Sequence, residues 1–392
     1  MEVGVISWTY PPEKSGLSVA AREIAQSLAE AGHGVRVLTF DRSGRAMDGA
    51  VTVIGCALPA GGALARLRGL PATGHLVGPW AMARAVRAEH ARAPFDVVEA
   101  TNWYAPGLFV ALDRRMPFVT RNSTPVATSG AGGRGVRART DHAAARAVEA
   151  LSAARSDMLI SNTAAHGVKI AALYGVAKPG PAHHVVGLSL DPALVAAGAE
   201  AAYPEAASGP VRLLFVGRAE HRKGYDALAP AIEILAAEAE RGAIPEFALT
   251  MVGVGDDRVA DLSAAARARV MAFRRAESEQ LYALLAKTHV VVAPSRYESF
   301  GLVYQEAMAF GRPIVACAED PSARLFVGGT GAGLLAERCD ASAVAHELRR
   351  VIVDPELRRT LHRGSRAAAG RFTRATMGSE TVAAYRAMLS RR

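Results

Sequence analysis

The sequence predicts an α/β protein with two doubly wound parallel-sheet domains. Short apolar runs, each about the length of one buried strand, alternate with longer segments in which apolar residues recur at helical spacing. The chain opens with VGVISW (3–8), an amphipathic segment at 19–31 and GHGVRVLTF (32–40). The same alternation restarts at VRLLFVG (211–217), and 392 residues are enough for two such domains.

The domain boundaries follow from changes in composition. The segment AYPEAASGP (202–210) is rich in Pro, Ala and Gly, as linkers are, and GRFTRATMGSETVAAYRAML (370–389) predicts a helix near the end of the chain. We expect three parts: an N-terminal domain at 1–190, a second domain at 191–369 and a closing segment at 370–392.

Composition and charge limit the classes of partner. The chain is 50% hydrophobic and 21% charged, an ordinary globular balance, and its net charge of +9 lies mostly in residues 1–185. This excess indicates either a solvated basic surface or an affinity for an anionic acceptor or an anionic membrane surface. Aromatic residues make up 6% of the chain and no nucleic-acid-binding motif is present, so we expect no nucleic-acid partner.

Cysteine usage and the absence of long apolar runs bear on the location of the protein. Three cysteines without framework spacing, Cys56, Cys317 and Cys339, indicate reduced thiols. The chain opens with a strand rather than a basic and then apolar leader, so we expect no signal peptide, and no apolar run is long enough to span a bilayer. We expect a cytoplasmic protein, and the basic excess leaves open a peripheral contact with the inner membrane face.

The most informative segment is PSRYESFGLVYQEAMAFGRPIVA (294–316), which links two apolar strands. It predicts a polar turn and then a helix that opens at Gly301. Backbone N–H groups at the start of that helix (299–302) lack partners within it and lie at the positive end of its dipole, so they favour phosphate. Two carboxylates, Glu298 and Glu306, suit a phosphorylated, hydroxyl-rich ligand. The alternative is an ordinary strand–loop–helix with two solvated glutamates.

This segment resembles the E-x(7)-E signature of glycosyltransferase family 4, and the resemblance extends over nearly the whole chain. The matching residues are Pro294, Ser295, Glu298, Ser299, Phe300, Gly301, Leu302, Glu306, Ala307, Met308, Ala309, Gly311 and Pro313. The resemblance implies a GT-B fold, in which two Rossmann-like domains face each other across a cleft and the last helix returns to the first domain. It also implies a nucleotide-sugar donor and retention of the anomeric configuration.

A second motif, GRAEHRKG (217–224), follows the first strand of the second domain. It resembles the family's G-R-x-x-x-x-K-G, in which the Arg and the Lys grip the donor diphosphate, so the resemblance implies this role for Arg218 and Lys223. A solvated loop is the alternative. In a parallel sheet both motifs lie at the carboxyl ends of strands, where ligands bind. With Glu298, these two cations are the predicted catalytic residues.

The remaining predicted donor contacts rest on looser matches. The resemblance places the nucleobase at the strand end Phe273–Arg274 and implies a close backbone approach at Gly16, where a plain tight turn is the alternative. The complete predicted donor set is Gly16, Arg218, Lys223, Phe273, Arg274, Glu298, Ser299, Phe300, Gly301, Leu302 and Glu306.

On the acceptor side the sequence departs from the family pattern. Relatives often carry a His in the loop after the strand PFVT (117–120), whereas this chain continues RNSTP, so that Arg121 or Ser123 stands in its place. One interpretation is that Arg121 contacts an anionic acceptor or the donor sugar. The other is a plain ion pair with a nearby carboxylate such as Glu99.

The resemblance therefore implies a retaining glycosyltransferase. It would move a hexosyl unit from a nucleoside-diphosphate sugar, in the first instance a UDP-sugar, to a hydroxyl of a small-molecule, glycan or lipid-linked acceptor. The sequence has no Asp-x-Asp and no clustered metal ligands, so we expect no metal and no other cofactor. Two alternatives stay open: a GT-B nucleotide-sugar epimerase and a non-catalytic protein that binds nucleotide sugars.

Overall fold

A computed structural model describes residues 1–12, 15–129, 135–176, 182–204 and 209–392. The chain divides into two compact units, each built around one β-sheet. The first unit consists of Met1–Ser189 and Phe372–Arg392, and the second of Leu190–Arg371.

Fourteen strands form the two sheets in the described part of the chain. Those of the first unit are β1 Glu2–Ile6, β2 Gly34–Thr39, β3 Arg45–Asp48, β4 Val51–Gly55, β5 Val97–Thr101, β6 Phe118–Arg121, β7 Met158–Ser161 and β8 Ala182–Val185. Those of the second unit are β9 Val211–Val216, β10 Phe247–Val252, β11 Val270–Phe273, β12 Val290–Ala293, β13 Ile314–Cys317 and β14 Gly333–Ala336.

Both sheets are wound in the same way. The second has the order β11-β10-β9-β12-β13-β14 with every pair parallel, and the first has the order β3-β4-β2-β1-β5-β6-β7-β8, in which β3 pairs antiparallel with β4. In each sheet the chain runs outward from a central strand and then returns to that strand's other side. This order creates a topological switch point between β9 and β12 and another between β1 and β5. The predicted two-domain α/β fold is confirmed.

Helices connect the strands. They are α1 Gly16–Glu30, α2 Gly62–Arg68, α3 Gly74–Arg92, α4 Leu108–Asp113, α5 Val136–Arg155, α6 Ala164–Tyr174, α7 Pro192–Glu200, α8 Tyr225–Glu240, α9 Ala264–Arg267, α10 Ser278–Lys287, α11 Leu302–Ala309, α12 Pro321–Ala323, α13 Ala341–Val353, α14 Pro355–Ala368 and α15 Arg374–Leu389. Short 3₁₀ turns cover Val126–Thr128, His221–Lys223 and Asp256–Arg258, and a π-turn covers Arg324–Gly328.

Local sequence explains where several helices begin. Ser15 caps α1 through its hydroxyl oxygen, which accepts from the backbone N–H of Ser18, while the Ser18 hydroxyl oxygen accepts from the backbone N–H of Ser15. Side-chain oxygens of Asp340 and Thr373 cap α13 and α15 in the same manner. Such caps satisfy N–H groups that have no partner within the helix, and each contributes about 1 kcal/mol.

The last helix packs against the first helix of its unit. Gly378 of α15 lies so close to α1 that a Cβ there would overlap the carbonyl oxygen of Ser27. Arg374 adds an ion pair with the buried Glu23 at 2.6 Å. The chain end therefore belongs structurally to the first unit. Among the described residues, no helix combines the length and apolar composition that crossing a bilayer would require.

Candidate active site

The loops that carry the two predicted motifs lie side by side at the switch point of the second sheet. β9 and β12 are neighbours, and the chain leaves their carboxyl ends in opposite directions, toward β10 and toward β13. Such a divergence opens a crevice outside the strand ends, where ligands of doubly wound folds bind. The loop at 217–224 supplies cations to this crevice, and the loop at 294–301 supplies a carboxylate.

Backbone contacts hold these two loops together. Gly224 has a φ of +70°, and a Cβ at this position would overlap the carbonyl oxygen of Pro294. The backbone N–H of Arg296 donates to the carbonyl oxygen of Arg222 over 2.9 Å. A glycine is therefore required at 224 both by the left-handed conformation and by the nearness of the other loop.

Glu298 is the centre of a buried cluster of charges. Its Oε1 accepts hydrogen bonds from Lys223 Nζ at 2.6 Å and Ser295 Oγ at 2.7 Å, and its Oε2 accepts one from Arg222 Nη1 at 3.2 Å. Burial favours the neutral carboxyl group, but the two cations and these hydrogen bonds outweigh that effect and lower the pKa of Glu298. Glu298 is therefore an ionised acceptor. The ammonium group of Lys223 has three N–H donors, of which this ion pair uses one.

A second carboxylate, Asp320, supports the turn that carries Glu298. Its Oδ1 accepts from the backbone N–H of Glu298 at 3.0 Å, and its Oδ2 accepts from the Tyr304 hydroxyl at 2.8 Å. Burial and the nearby Glu298 carboxylate raise the pKa of Asp320 to about 6. The Ser322 hydroxyl donates to the carbonyl oxygen of Glu298 at 3.0 Å. Sequence reasoning assigned no role to Arg222, Asp320 or Ser322, although the last two follow β13, whose loop must meet the loop of β12.

Arg218 and Arg274 extend into solvent at the carboxyl edge of the second sheet, after β9 and β11. The Arg218 side chain is 72% exposed and pairs with Glu220 at 2.9 Å, and the Arg274 side chain is 79% exposed and pairs with Asp257 at 2.8 Å. Phe273, the last residue of β11, is half-buried. Both guanidinium groups remain accessible to an anionic ligand.

The start of α11 presents backbone rather than side chains. Gly301 has a φ of +86°, and the helix begins at the next residue, Leu302, which like Ser299 is half-buried. Phe300 is buried, and its ring lies 5.3 Å from that of Phe326, centroid to centroid, so its side chain belongs to the core. The backbone N–H groups of this turn can donate hydrogen bonds to a phosphate, as those at helix N-termini generally do.

Glu306 lies on α11, and its pKa is shifted in the opposite direction from that of Glu298. Its side chain is half-buried, and burial raises its pKa to about 6, with Lys223 as the opposing influence. Near neutral pH it is mostly ionised and can accept hydrogen bonds from hydroxyl groups.

In the first unit, Arg121 forms the buried ion pair that the sequence left as an alternative. Its Nε donates to Glu99 Oε1 at 2.6 Å and its Nη2 to Thr381 Oγ1 at 2.9 Å, and its side chain is 4% exposed. The Tyr385 hydroxyl donates to Glu99 Oε2 at 2.6 Å. Glu99 compensates the charge of Arg121 inside the unit, which favours the interpretation of a plain ion pair, and a contact of Arg121 with an acceptor stays a prediction.

Ser123 and Gly16 lie at the same edge of the first sheet. The hydroxyl and the backbone N–H of Ser123 both donate to Asn102 Oδ1, at 2.8 and 2.7 Å, which fixes the loop after β6 against the loop after β5. Gly16 is the exposed first residue of α1, and a Cβ there would meet no atom of the described residues within 4 Å. No described residue of the first unit therefore requires a glycine at this position.

The chain is similar to known glycosyltransferases along nearly its whole length. Two family models match it: the glycosyl transferase 4-like domain over residues 15–189, and glycosyl transferases group 1 over residues 201–368. A glycogen synthase from Mycobacterium tuberculosis is 29% identical over 95% of this chain and 90% of its own length.

Solved structures show the same fold. Sucrose-phosphate synthase from Thermosynechococcus elongatus matches with a TM-score of 0.75 and 22% identity over the full length of both chains. HepE from Anabaena, solved in complex with UDP and glucose, matches with a TM-score of 0.67 and 19% identity over 98% of this chain and 99% of its own.

The two doubly wound sheets and these similarities identify a nucleotide-sugar-dependent glycosyltransferase with the GT-B fold. The chain belongs to the family 4 type of glycosyltransferases. The predictions of the family and of the enzyme class are thus confirmed, in preference to an epimerase or a non-catalytic binding protein. The roles of the individual site residues stay predictions.

Proposed function

We propose that this enzyme transfers a hexosyl unit from a UDP-sugar to a hydroxyl acceptor in a glycan, glycolipid or natural product, with retention of configuration and without a metal ion. The observation that carries the proposal is the convergence of Lys223 and Arg222 on Glu298 at the switch point, with Arg218 exposed in the loop of Lys223. A structural relative bound to UDP and glucose supports the choice of nucleotide.

The charges of this cluster suit the departure of a diphosphate. Negative charge grows on the leaving oxygen as the bond to the sugar breaks, and preorganised cations and helix N–H groups stabilise it most in the transition state. Lys223 and Arg218 are the cations proposed for this task. Glu298 would accept hydrogen bonds from the sugar hydroxyls, and Glu306 from the ribose.

Retention follows if the acceptor attacks from the face that the diphosphate leaves. The proton of the acceptor hydroxyl passes to an oxygen of the departing phosphate, while the acceptor oxygen bonds to the anomeric carbon. No side chain then has to form a covalent intermediate, and the cationic side chains carry out the neutralisation that a metal ion would otherwise perform.

The test combines binding with turnover. In a thermal-shift screen of UDP, GDP, ADP and their sugars, UDP and one UDP-sugar should raise the Tm most, since ligands that bind the folded state stabilise it. UDP release from that sugar should continue in EDTA, and NMR should show a product with the anomeric configuration of the donor. Preference for another nucleotide, loss of activity in EDTA with recovery on adding Mg²⁺ or Mn²⁺, or an inverted product would each refute the corresponding part of the proposal.

A further inference from the structure

Two cysteine side chains lie together at the carboxyl edge of the second sheet. Cys317 is the last residue of β13, and Cys339 follows β14, which runs parallel to β13. The Sγ atom of Cys317 is 3.9 Å from the carbonyl oxygen of Arg338, the residue before Cys339. The backbone N–H of Cys339 donates to Glu319 Oε1 at 2.8 Å, which holds the two segments side by side. The two thiols are hydrogen-bond partners of each other.

Cys339 also contacts both loops of the proposed donor site. Its thiol donates a hydrogen bond to the carbonyl oxygen of Pro294 at 2.9 Å. A Cβ at Gly224 would come within 2.9 Å of the same sulfur atom and would overlap the Pro294 oxygen. The carbonyl oxygen of Cys339 accepts from Arg296 Nη2 at 2.8 Å. The thiol of Cys339 therefore lies where these two loops meet and supports one of them directly.

The surroundings make Cys339 the more reactive of the two thiols. The hydrogen bond from the Cys317 thiol and the nearby Arg296 guanidinium lower the pKa of Cys339 against the effect of burial. The same hydrogen bond and burial raise the pKa of Cys317. Cys339 is 4% exposed, whereas Cys317 is fully buried. Since the thiolate is the form that oxidants attack, oxidation should begin at Cys339, with a second thiol in position to complete it.

We propose that Cys317 and Cys339 are a site of reversible oxidation to a disulfide, and that this modification weakens binding of the nucleotide-sugar donor. The oxidant is a peroxide. Hydrogen peroxide transfers one oxygen atom to the Cys339 thiolate, which becomes a sulfenic acid, and the other oxygen leaves as hydroxide and takes up a proton. The sulfur of Cys317 then bonds to that of Cys339, the S–O bond breaks and the oxygen leaves as water. Two thiols and one hydrogen peroxide thus become one disulfide and two water molecules.

The loss of the thiol proton connects this oxidation to the donor site. A disulfide sulfur has no proton to donate, so the carbonyl oxygen of Pro294 loses the hydrogen bond from Cys339. Pro294 begins the turn that carries Glu298, the proposed contact for the sugar hydroxyls. The inference rests on the proposed donor site and adds a chemical modification that controls it.

The remaining cysteine, Cys56, is a matched control in the first unit. It is buried, and burial raises its pKa to about 11. Its Sγ atom lies 3.9 Å from both the carbonyl oxygen of Ile54 and Met82 Sδ, and the first unit contains no other cysteine. Cys56→Ala should therefore leave the response to peroxide unchanged.

The test treats the full chain with hydrogen peroxide and then with dithiothreitol. Tryptic mass spectrometry without reduction should find the peptides 297–324 and 339–349, which contain the two cysteines, linked by a disulfide. Calorimetric titration with UDP should show a Kd that peroxide raises about 3- to 10-fold, the loss expected for one hydrogen bond. Dithiothreitol should separate the peptides and restore the Kd.

Substitution of Cys317 separates the disulfide from other effects of peroxide. Cys317→Ala removes the second thiol and keeps the hydrogen bond from Cys339 to Pro294. This variant should bind UDP as the reduced wild type does, form no linked peptide and keep its Kd after peroxide. Cys317→Ser is the second choice if the Tm shows that the alanine variant does not fold.

Three outcomes would overturn the proposal. The peroxide-treated wild type could yield no linked peptide, or it could yield the linked peptide with an unchanged Kd for UDP. Cys317→Ala could lose as much UDP affinity on peroxide treatment as the wild type. The Kd of the reduced wild type is measured first, so a failure of the donor proposal appears before any oxidation and stays distinguishable from these results.

Discussion

Replacement of Lys223 by Ala tests whether the ion pair with Glu298 organises the donor site. The substitution removes a 2.6 Å charge-assisted hydrogen bond between side chains that are 18% and 9% exposed. Loss of one partner of a fully buried pair costs about 3–5 kcal/mol, and a single hydrogen bond to a charged group contributes about 1.5–3 kcal/mol. Because Arg222 and Ser295 still hold the carboxylate, the lower range applies, and we expect the free energy of unfolding to fall by about 2 kcal/mol.

The effect should depend on pH in a defined direction. The pKa of Glu298 is lower in the folded protein than its ordinary value, so this group stabilises the fold above its unfolded pKa, and the contribution disappears as the pH falls through the folded pKa. Without Lys223 the folded pKa rises toward the unfolded value, so the loss of stability on acidification should be smaller in Lys223→Ala than in the wild type and should be complete at a higher pH.

Thermal unfolding and donor kinetics together measure the outcome. A loss of about 2 kcal/mol should lower the Tm by about 4–8 °C for a unit of this size. The kcat/KM for the donor should fall about 10- to 100-fold. Lys223→Arg keeps the charge and should recover most of the stability. Wild-type stability and kinetics in Lys223→Ala, across the acidic range as well as at neutral pH, would refute the assigned geometry and role.

Four further predictions concern neighbouring features. Arg218→Ala should reduce kcat/KM for the donor about 10- to 100-fold while the Tm stays near that of the wild type, because an exposed ion pair contributes little to stability; normal kinetics would exclude it from the donor site. Arg121→Leu should destabilise the protein by about 3–5 kcal/mol, measured by denaturant unfolding, because it strands Glu99, and it should leave the salt dependence of acceptor KM unchanged. Since the pKa of Glu306 is about 6, donor affinity should decline as the pH falls through 6. Glu306→Gln should flatten this dependence of donor affinity on pH. An identical pH dependence in the variant would contradict the proposed contact of Glu306 with the donor. The raised pKa of Asp320 makes the wild type lose stability as the pH rises from the unfolded pKa of this group toward 6. Asp320→Asn should remove that pH dependence, and unfolding curves recorded between the unfolded pKa and pH 7 would detect the change.

The sequence predicts the fold well because strands buried on both faces are continuous apolar runs. HVVVAP and PIVAC correspond to β12 and β13, and VRLLFVG to β9. The rule that loops of parallel strands meet at one edge also predicts that Lys223 and Glu298 are neighbours, and the structure pairs them. Their catalytic roles stay predictions, since geometry alone does not show which atoms of a ligand they touch.

The supporting residues were not predictable from local pattern. Asp320 lies 22 residues beyond Glu298, and an aspartate after a strand most often caps the following helix. Its Oδ1 does accept from the backbone N–H of Ser322, as a capping residue would, but the same oxygen also holds Glu298. Only the three-dimensional register of β12 beside β13 gives one carboxylate both tasks.

The final helix supplies residues to a region that the sequence places far away. Thr381 and Tyr385 of α15 hydrogen-bond to Arg121 and Glu99, which stand 260 and 286 residues earlier in the chain. Glu99 accepts hydrogen bonds from Nε and Nη2 of Arg121 and Thr381 accepts one from Nη2, so that Nη1 is the guanidinium nitrogen without a hydrogen-bond partner among the described residues. A basic residue at the end of a buried strand looks like a candidate anion contact in the sequence, because its neutralising partners come from another strand and from the chain end.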